Sequence, residues 1–198
     1  MKNVPPSIDL IVGLGNPGAD YCHTRHNAGA WFVEELARRF NGRLTAEKKF
    51  HGLVGRIRIA GREVRLLVPT TFMNLSGQSV VALARFYRVD PATLLIAHDE
   101  IDIPAGEGRF KMGGGHGGHN GLRDIIGRLG GHRDFCRLRV GVGRPDTRVA
   151  VTDHVLAKPG RDEARKIDDV IQLAADLLPQ AMAGQWAGAV QQLHSFRA

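Results

Sequence analysis

IDLIVGLGNPG, residues 8–18, is the stretch of sequence that decides the fold class. It begins as a short, largely apolar run and ends in Gly15-Asn16-Pro17-Gly18, which has the composition of a tight turn. A short apolar run bounded by turn residues predicts a strand that is covered on both faces of a sheet. Residues 94–97 form a second run of the same kind. We therefore predict a buried central sheet with strands at residues 8–14 and 94–97.

The flanking sequence predicts further strands and four helices. A hairpin is predicted at residues 54–59 and 63–68, and alternating apolar residues predict a strand at 138–142. Apolar residues recur at helical spacing in residues 32–40, 80–87, 122–129 and 167–178. Strands that alternate with amphipathic helices are typical of α/β proteins. We predict a twisted mixed β-sheet with helices on both faces, mixed because of the hairpin.

Length and composition indicate an ordinary soluble domain. The chain has 198 residues, and no repeat, low-complexity tract or linker divides it. We therefore predict a single domain over residues 1–198, with residues 1–7 as a flexible tail. No apolar run approaches the ~18 residues of a membrane helix. With no signal-peptide pattern and only two cysteines, the chain is predicted to be cytoplasmic and not to enter a membrane.

Positive charge is concentrated in one segment. The formal net charge is +7, and residues 109–148 hold nine Arg or Lys against three Asp. Clustered cationic residues are typical of proteins that bind nucleic acid, because each neutralised phosphate releases a condensed counterion. A generally basic, soluble surface is the alternative. Charge alone leaves both interpretations open.

Polar side chains follow three of the predicted strands. Asn16 lies after the first strand, Asn74 after the hairpin and Asp99 after the strand at residues 94–97. Ligands of open α/β sheets bind outside the carboxyl ends of the strands, where the exits of neighbouring parallel strands meet. Asn16, Asn74 and Asp99 are therefore predicted to line one site.

His26 is the candidate base for this site. It precedes the first predicted helix, and imidazole suits proton transfer near neutral pH. Alone, it is better explained as an ordinary residue at a helix start. A carboxylate that fixes its tautomer would make it a base, and Asp99 is placed to do so. Because no serine or cysteine stands in a nucleophile motif, direct attack by water is favoured over an acyl-enzyme.

Two glycine motifs point to other functions. Residues 13–18 satisfy the dinucleotide fingerprint G-x-G-x-x-G, but helical spacing begins only near Ala28, too late for a helix N-terminus to bind pyrophosphate. Residues 113–118 include five glycines, and His116 and His119 form an H-x-x-H pair. A glycine loop exposes N–H groups to oxygen ligands but is a poor platform for zinc. The first motif leaves an oxidoreductase as an alternative and the histidine pair a metal enzyme, while the basic segment leaves a non-catalytic RNA-binding module.

Together, these segments resemble the bacterial-type peptidyl-tRNA hydrolase family. The matching segments are VGLGNPG at 12–18, Tyr21 with TRHN at 24–27, PTTFMNLSG at 69–77, HDE at 98–100 and the glycine-rich stretch 113–122. The resemblance implies a single mixed-sheet α/β domain that is monomeric and uses no cofactor or metal. It implies that peptidyl-tRNA is the partner and that the ester joining the peptide to the tRNA 3′ ribose is hydrolysed.

The resemblance also implies residue roles. It makes His26 the general base that activates water, Asp99 the residue that orients it, and Asn16 the residue that distinguishes N-blocked from free aminoacyl-tRNA. The residues implied to bind the peptidyl and 3′-terminal parts of the substrate are Tyr21, Phe72, Asn74 and Asn120. Those implied to form a basic clamp for the tRNA 5′ phosphate are Lys111 and Arg139, with Arg109 nearby.

Overall fold

Seven strands and six helices are found in a computed structural model that describes residues 7–145 and 150–198. The strands are β1 (Leu10–Gly13), β2 (Thr45–Glu47), β3 (Gly52–Ile59), β4 (Arg62–Pro69), β5 (Leu94–Glu100), β6 (Gly108–Met112) and β7 (Cys136–Gly141). The helices are α1 (Ala28–Arg39), α2 (Ser76–Tyr87), α3 (Asn120–Arg128), α4 (Val151–Leu156), α5 (Arg161–Gln180) and α6 (Trp186–Ser195). Short helical turns cover Arg25–Asn27, Lys48–Phe50, Met73–Leu75, Pro91–Thr93 and Ala181–Gln185.

All seven strands form one mixed sheet in the order β2-β3-β4-β1-β5-β7-β6. β1 lies at its centre, parallel to β4 on one side and to β5 on the other, and β7 is parallel to β5. β2, β3 and β6 pair antiparallel with their neighbours. Leu10, Ile11 and Val12 are fully buried, which confirms the strand predicted from the opening run. The hairpin is also confirmed, as β3 and β4.

Helices cover both faces of the sheet. The larger apolar cluster includes Phe32 and Leu36 of α1, together with Ile167 and Leu178 of α5. The smaller cluster, on the other face, includes Leu83 of α2 with Leu122 and Ile125 of α3. The predicted α/β class, with a mixed sheet between two helical layers, is therefore confirmed.

Several elements were not predicted, for a physical reason. β6 lies at the edge of the sheet and alternates charged Arg109 and Lys111 with a single buried aromatic residue, Phe110. α4 is only six residues long, too short to show a helical period. Residues 1–6 of the predicted tail, and residues 146–149 at the end of the basic segment, lie outside the described residues. Within the described residues, no helix has the length and apolar character needed to cross a membrane.

Close packing of α1 against the sheet places His26 at the end of the central strands. A side chain at Gly29 would lie 2.1 Å from the carbonyl oxygen of Ala97, so glycine is required where the first turn of α1 touches β5. The Ala30 amide also donates to the Leu14 carbonyl. His26 lies in the helical turn immediately before α1. The helix begins well beyond Gly18, as predicted, so its N-terminus does not fall inside the G-x-G-x-x-G motif.

Arg25, beside His26, ties the first helical turn to the C-terminal part of the chain. Its guanidinium donates two hydrogen bonds, of 2.7 and 2.6 Å, to the carboxylate of Glu163 on α5. It also donates to the carbonyls of His154, Ala157 and Lys158 around the end of α4. One buried guanidinium therefore holds α4 and the start of α5 beside His26.

Replacing Arg25 by Met is expected to lower the free energy of unfolding by about 3 kcal/mol, because the carboxylate of Glu163 and three carbonyls lose their shared donor. The Arg25 and Glu163 side chains are 10% and 25% exposed. Arg62→Met is the matched control, since its pair with Asp9 is 43% and 42% exposed and should contribute less than about 1 kcal/mol. Urea denaturation measures both, and equal losses would contradict the prediction.

Candidate active site

A cavity of about 670 Å³ opens at the carboxyl ends of β1, β4 and β5. Its position is the one expected for an open α/β sheet, at the edge where neighbouring parallel strands end. Seven of the residues predicted to bind or cleave the substrate line it: Asn16, Tyr21, His26, Phe72, Asn74, Asp99 and Asn120. The structure therefore brings together the three strand exits, as predicted.

His26 and Asp99 are in direct contact. The His26 Nδ1 lies 2.8 Å from the Asp99 Oδ1, and these side chains are 12% and 3% exposed. Since a carboxylate at neutral pH only accepts hydrogen bonds, Nδ1 carries the ring proton and donates a hydrogen bond to Asp99. The other ring nitrogen, Nε2, accepts no hydrogen bond from the described residues and remains available as a base.

The pair shifts the pKa of each partner. Burial alone would lower the pKa of His26, but the charge and hydrogen bond of Asp99 outweigh it, and this pKa lies above its usual value. Burial would raise the pKa of Asp99, yet the neighbouring His26 and His119 hold it far below its usual range. Asp99 is therefore a carboxylate at every pH at which the chain is expected to work.

His119 is a second histidine in contact with the same carboxylate, and this contact was not predicted from the sequence. Its Nε2 lies 3.0 Å from the Asp99 Oδ1, and its ring centre lies 5.0 Å from that of His26. Its Nδ1 accepts from the amides of Gly121 and Leu122 and so caps α3. Two amide donors at Nδ1 place the proton on Nε2, so His119 donates to Asp99. The sequence associated His119 only with His116, which lies outside this cluster and instead accepts from the Gly118 amide.

The donor set fits a metal ion poorly. Among the described residues, His26, Asp99 and His119 form the one group with suitable ligand atoms within 4.8 Å of one another. A histidine binds a metal through a deprotonated nitrogen. In both histidines the nitrogen that faces Asp99 carries a proton; His26 could still bind a metal through Nε2, but the second nitrogen of His119 is occupied by the two amides. Only two ligands then remain, fewer than the three or four of a zinc site.

Asn16 is held so that its amide nitrogen can act as a donor. Its side-chain oxygen accepts from the Met73 amide at 2.7 Å, which identifies the oxygen and nitrogen ends of the group. The Asn27 side chain fixes the backbone of the loop. Its oxygen accepts from the backbone N–H of Asn16 at 2.9 Å, and its nitrogen donates to the backbone carbonyl of Asn16 at 3.0 Å. Asn16 lines the cavity, and no described residue accepts from its side-chain nitrogen.

Aromatic and aliphatic side chains form the remaining wall. Phe72 is 57% exposed and makes an edge-to-face contact with Tyr21, with ring centres 6.3 Å apart. α4 contributes Val151, Val155 and Leu156 to the lining. The sequence did not single out α4, because its apolar residues are too few to show a period.

The three predicted clamp residues lie outside the cavity, on β6 and β7. Arg109 and Arg139 are directly opposite in the antiparallel pair, and Lys111 is two residues further along β6. Arg139 donates to the Glu100 carboxylate at 3.0 Å, and Glu100 itself lines the cavity. The structure thus places these cations on one surface at the edge of the site.

Comparison of the sequence with known proteins gives one consistent result. The family model described as peptidyl-tRNA hydrolase matches residues 10–198. A peptidyl-tRNA hydrolase of Tolumonas auensis is 54% identical over 191 residues, which cover 96% of this chain and 97% of the relative. A peptidyl-tRNA hydrolase of Azotobacter vinelandii is 55% identical over 192 residues, which cover 97% of this chain and 99% of the relative.

Solved structures agree. The crystal structure of peptidyl-tRNA hydrolase from Acinetobacter baumannii superposes with a TM-score of 0.91 at 48% identity, and the match covers 96% of each chain. A complex of a peptidyl-tRNA hydrolase with N-propanol gives the same TM-score, identity and coverage. Sequence, fold and the cavity at the strand ends agree, and the chain belongs to the peptidyl-tRNA hydrolase family.

Proposed function

We propose that the chain hydrolyses the ester bond of peptidyl-tRNA, releasing the peptide and free tRNA, with His26 as general base and Asp99 as the residue that orients it. Membership of the family supports the reaction. The observation that carries the residue assignment is the 2.8 Å contact between the His26 Nδ1 and the Asp99 Oδ1 inside a cavity lined by asparagines. It leaves one imidazole nitrogen able to take a proton from water.

The reaction needs only one proton acceptor and an attacking water. The water oxygen adds to the ester carbonyl while the His26 Nε2 takes its proton, and Asp99 stabilises the resulting imidazolium. The same proton then passes to the 3′ oxygen of the ribose as the ester bond breaks. A positioned base contributes about 10² to 10⁴ in rate, and donors aimed at the developing oxyanion add to it.

We assign recognition of the N-blocked substrate to Asn16, with Asn74 and Asn120. Amide side chains offer donors and acceptors without charge, which suits a peptide backbone. A site built to hydrogen-bond an amide would leave those groups unpaired against a charged α-amine and so would reject free aminoacyl-tRNA. The fixed Asn16 amide, whose oxygen is already engaged by Met73, supports this assignment.

The decisive experiment measures acyl release from N-acetyl-aminoacyl-tRNA, with unblocked aminoacyl-tRNA as the comparison. We expect rapid release from the blocked substrate and little from the unblocked one. A chelator should have no effect beyond the one that removal of free Mg²⁺ has on tRNA folding. Equal release from both substrates would refute the assignment of Asn16. Loss of activity that returns only when zinc is added would favour a metal enzyme.

Replacing His119 should separate its two hydrogen-bonding roles. His119→Ala removes the cap of α3 and should cost about 1 kcal/mol of stability. His119→Asn keeps a capping side chain but is too short to reach Asp99. If the contact with Asp99 supports catalysis, both variants should lose about tenfold in kcat, and only the Ala variant should melt earlier. Full activity in His119→Asn would mean that His119 only caps α3 and does not support catalysis.

We also propose that Lys111 and Arg139, with Arg109 nearby, bind the tRNA and that the enzyme acts as a cytoplasmic monomer. Lys111→Ala or Arg139→Ala should raise KM for N-acetyl-aminoacyl-tRNA and flatten its dependence on salt, because fewer counterions are released. A short substrate without the tRNA body should be affected much less. Equal losses on both substrates would make these residues structural.

A further inference from the structure

Four cations face one another across the edge of the sheet. The register of β6 and β7 sets Arg109 opposite Arg139 and Lys111 opposite Arg137. Since residues two apart share a face of a strand, these four side chains, here called the basic ladder, lie on the same face. Directly opposed like charges destabilise a sheet. An arrangement that costs stability calls for a function, and an anion is the ligand that would neutralise it.

Arg137 differs from the other members of the basic ladder because it is buried. It is 3% exposed, whereas Lys111 is exposed and Arg139 is partly so. Arg139 and Arg109 lie near the carboxylates of Glu100 and Glu107. Within the described residues, no carboxylate lies within ion-pair distance of Arg137. A charge held in this way must be stabilised by other acceptors.

Carbonyl groups of the glycine-rich loop are those acceptors. The Arg137 Nη1 donates to the Gly115 carbonyl at 2.5 Å, and Nη2 donates to the Gly114 carbonyl. Gly113 and Gly114 have φ values of +64° and +109°, which allow the chain to turn its carbonyls toward the sheet. The guanidinium also lies over the Phe135 ring, 4.8 Å from its centre. Arg137 therefore holds the glycine-rich loop against the sheet through the Gly114 and Gly115 carbonyls.

The same loop carries Lys111 at one end and the active site at the other. A side chain at Gly114 would lie 3.1 Å from the Lys111 Nζ, so the ammonium rests directly against the part of the loop that Arg137 holds. Further along, Gly117 and Gly118 line the cavity, and His119 contacts Asp99. The placement of Lys111 relative to the cavity thus depends on the position of this loop.

We propose that Arg137 is a positioning residue for the tRNA 5′ phosphate: by holding the Gly114 and Gly115 carbonyls it sets Lys111 at a fixed distance from the ester-cleaving site. The proposal rests on the proposed function, because it takes peptidyl-tRNA as the substrate. It goes beyond the clamp residues assigned above, since Arg137 is buried and acts on the phosphate through the loop and Lys111.

The test compares N-acetyl-aminoacyl-tRNA bearing a 5′ phosphate with the same substrate bearing a 5′ hydroxyl. Arg137→Met should raise KM for the phosphorylated substrate about tenfold, change KM for the hydroxyl substrate little, and leave kcat within about twofold. Arg137→Lys keeps the charge but not the two-carbonyl geometry, so its KM should fall between. Arg58→Met is the control for loss of one cation, because Arg58 is exposed on β3, near the opposite edge of the sheet.

A double-mutant cycle decides whether Arg137 works through Lys111. If it does, Lys111→Met combined with Arg137→Met should raise KM little more than Lys111→Met alone. Additive effects, or an equal loss on both substrates, would overturn the proposal. If Arg137→Met does not fold, Arg137→Lys decides, and an unchanged KM on the phosphorylated substrate overturns it. If the wild type releases no N-acetyl-amino acid from either substrate, the proposed function has failed. That result is distinguishable from an effect of the Arg137 variants on KM.

Discussion

Replacing His26 by Ala is expected to reduce kcat for N-acetyl-aminoacyl-tRNA by about 10² to 10⁴-fold, the range contributed by one positioned general base. The water then has no proton acceptor, because the Asp99 carboxylate lies on the far side of the missing ring, where it contacted Nδ1 and not the Nε2 that faces the water. Single-turnover release of the labelled acyl group measures the effect. KM should change little, since the asparagines and the basic surface remain.

His23→Ala is the matched control for this variant. His23 lies three residues earlier and is exposed, and its loss should leave kcat within about twofold. The pH dependence gives an independent check. Because His26 must be neutral to act as a base and its pKa is raised, activity of the wild type should climb as pH rises through that raised pKa and then level off. Retention of activity in His26→Ala would exclude His26 as the general base.

Replacing Asp99 by Asn is expected to reduce kcat by about 10² to 10⁴-fold while leaving the fold intact, as when an orienting carboxylate is removed from a catalytic histidine. The amide no longer stabilises the imidazolium, and its nitrogen can donate to the ring and reverse the tautomer of His26. His119 loses its charged acceptor at the same time.

The direction of the pH shift distinguishes this mechanism from general damage. With the carboxylate gone, burial remains as the main influence on His26 and lowers its pKa. The residual activity of Asp99→Asn should therefore rise at lower pH than that of the wild type, although its plateau is far lower. Asp102→Asn is the control, since the Asp102 side chain is 51% exposed and pairs with Arg144 at the surface. An unshifted pH profile would mean that Asp99 does not set the pKa of His26.

Much of the fold follows from local patterns. Continuous apolar runs predict buried parallel strands, and apolar residues at helical spacing predicted four helices that the structure confirms. β6 escaped prediction because its alternation consists of basic residues around one phenylalanine, Phe110. That pattern becomes a strand only when β7 supplies its hydrogen-bonding partners.

The cavity was also predictable in outline. Polar residues directly after parallel strands must meet at one edge, and Asn16, Asn74 and Asp99 do line one cavity. The role of His119 was not predictable, since its separation from Asp99 in the sequence carries no sign of the 3.0 Å contact. The same holds for Arg137, whose charge in the sequence resembled that of its exposed neighbours.

The amino-acid order alone specified the α/β class, the family and the edge of the sheet where the cavity opens, because these depend on short-range periodicity and motif spacing. Which nitrogen of each histidine carries a proton, and which cation is buried beneath the glycine loop, emerged only once the chain was folded. Proton positions depend on the donors and acceptors within hydrogen-bond distance, and burial depends on which strands and loops pack together. Both are set by contacts between residues far apart in the chain.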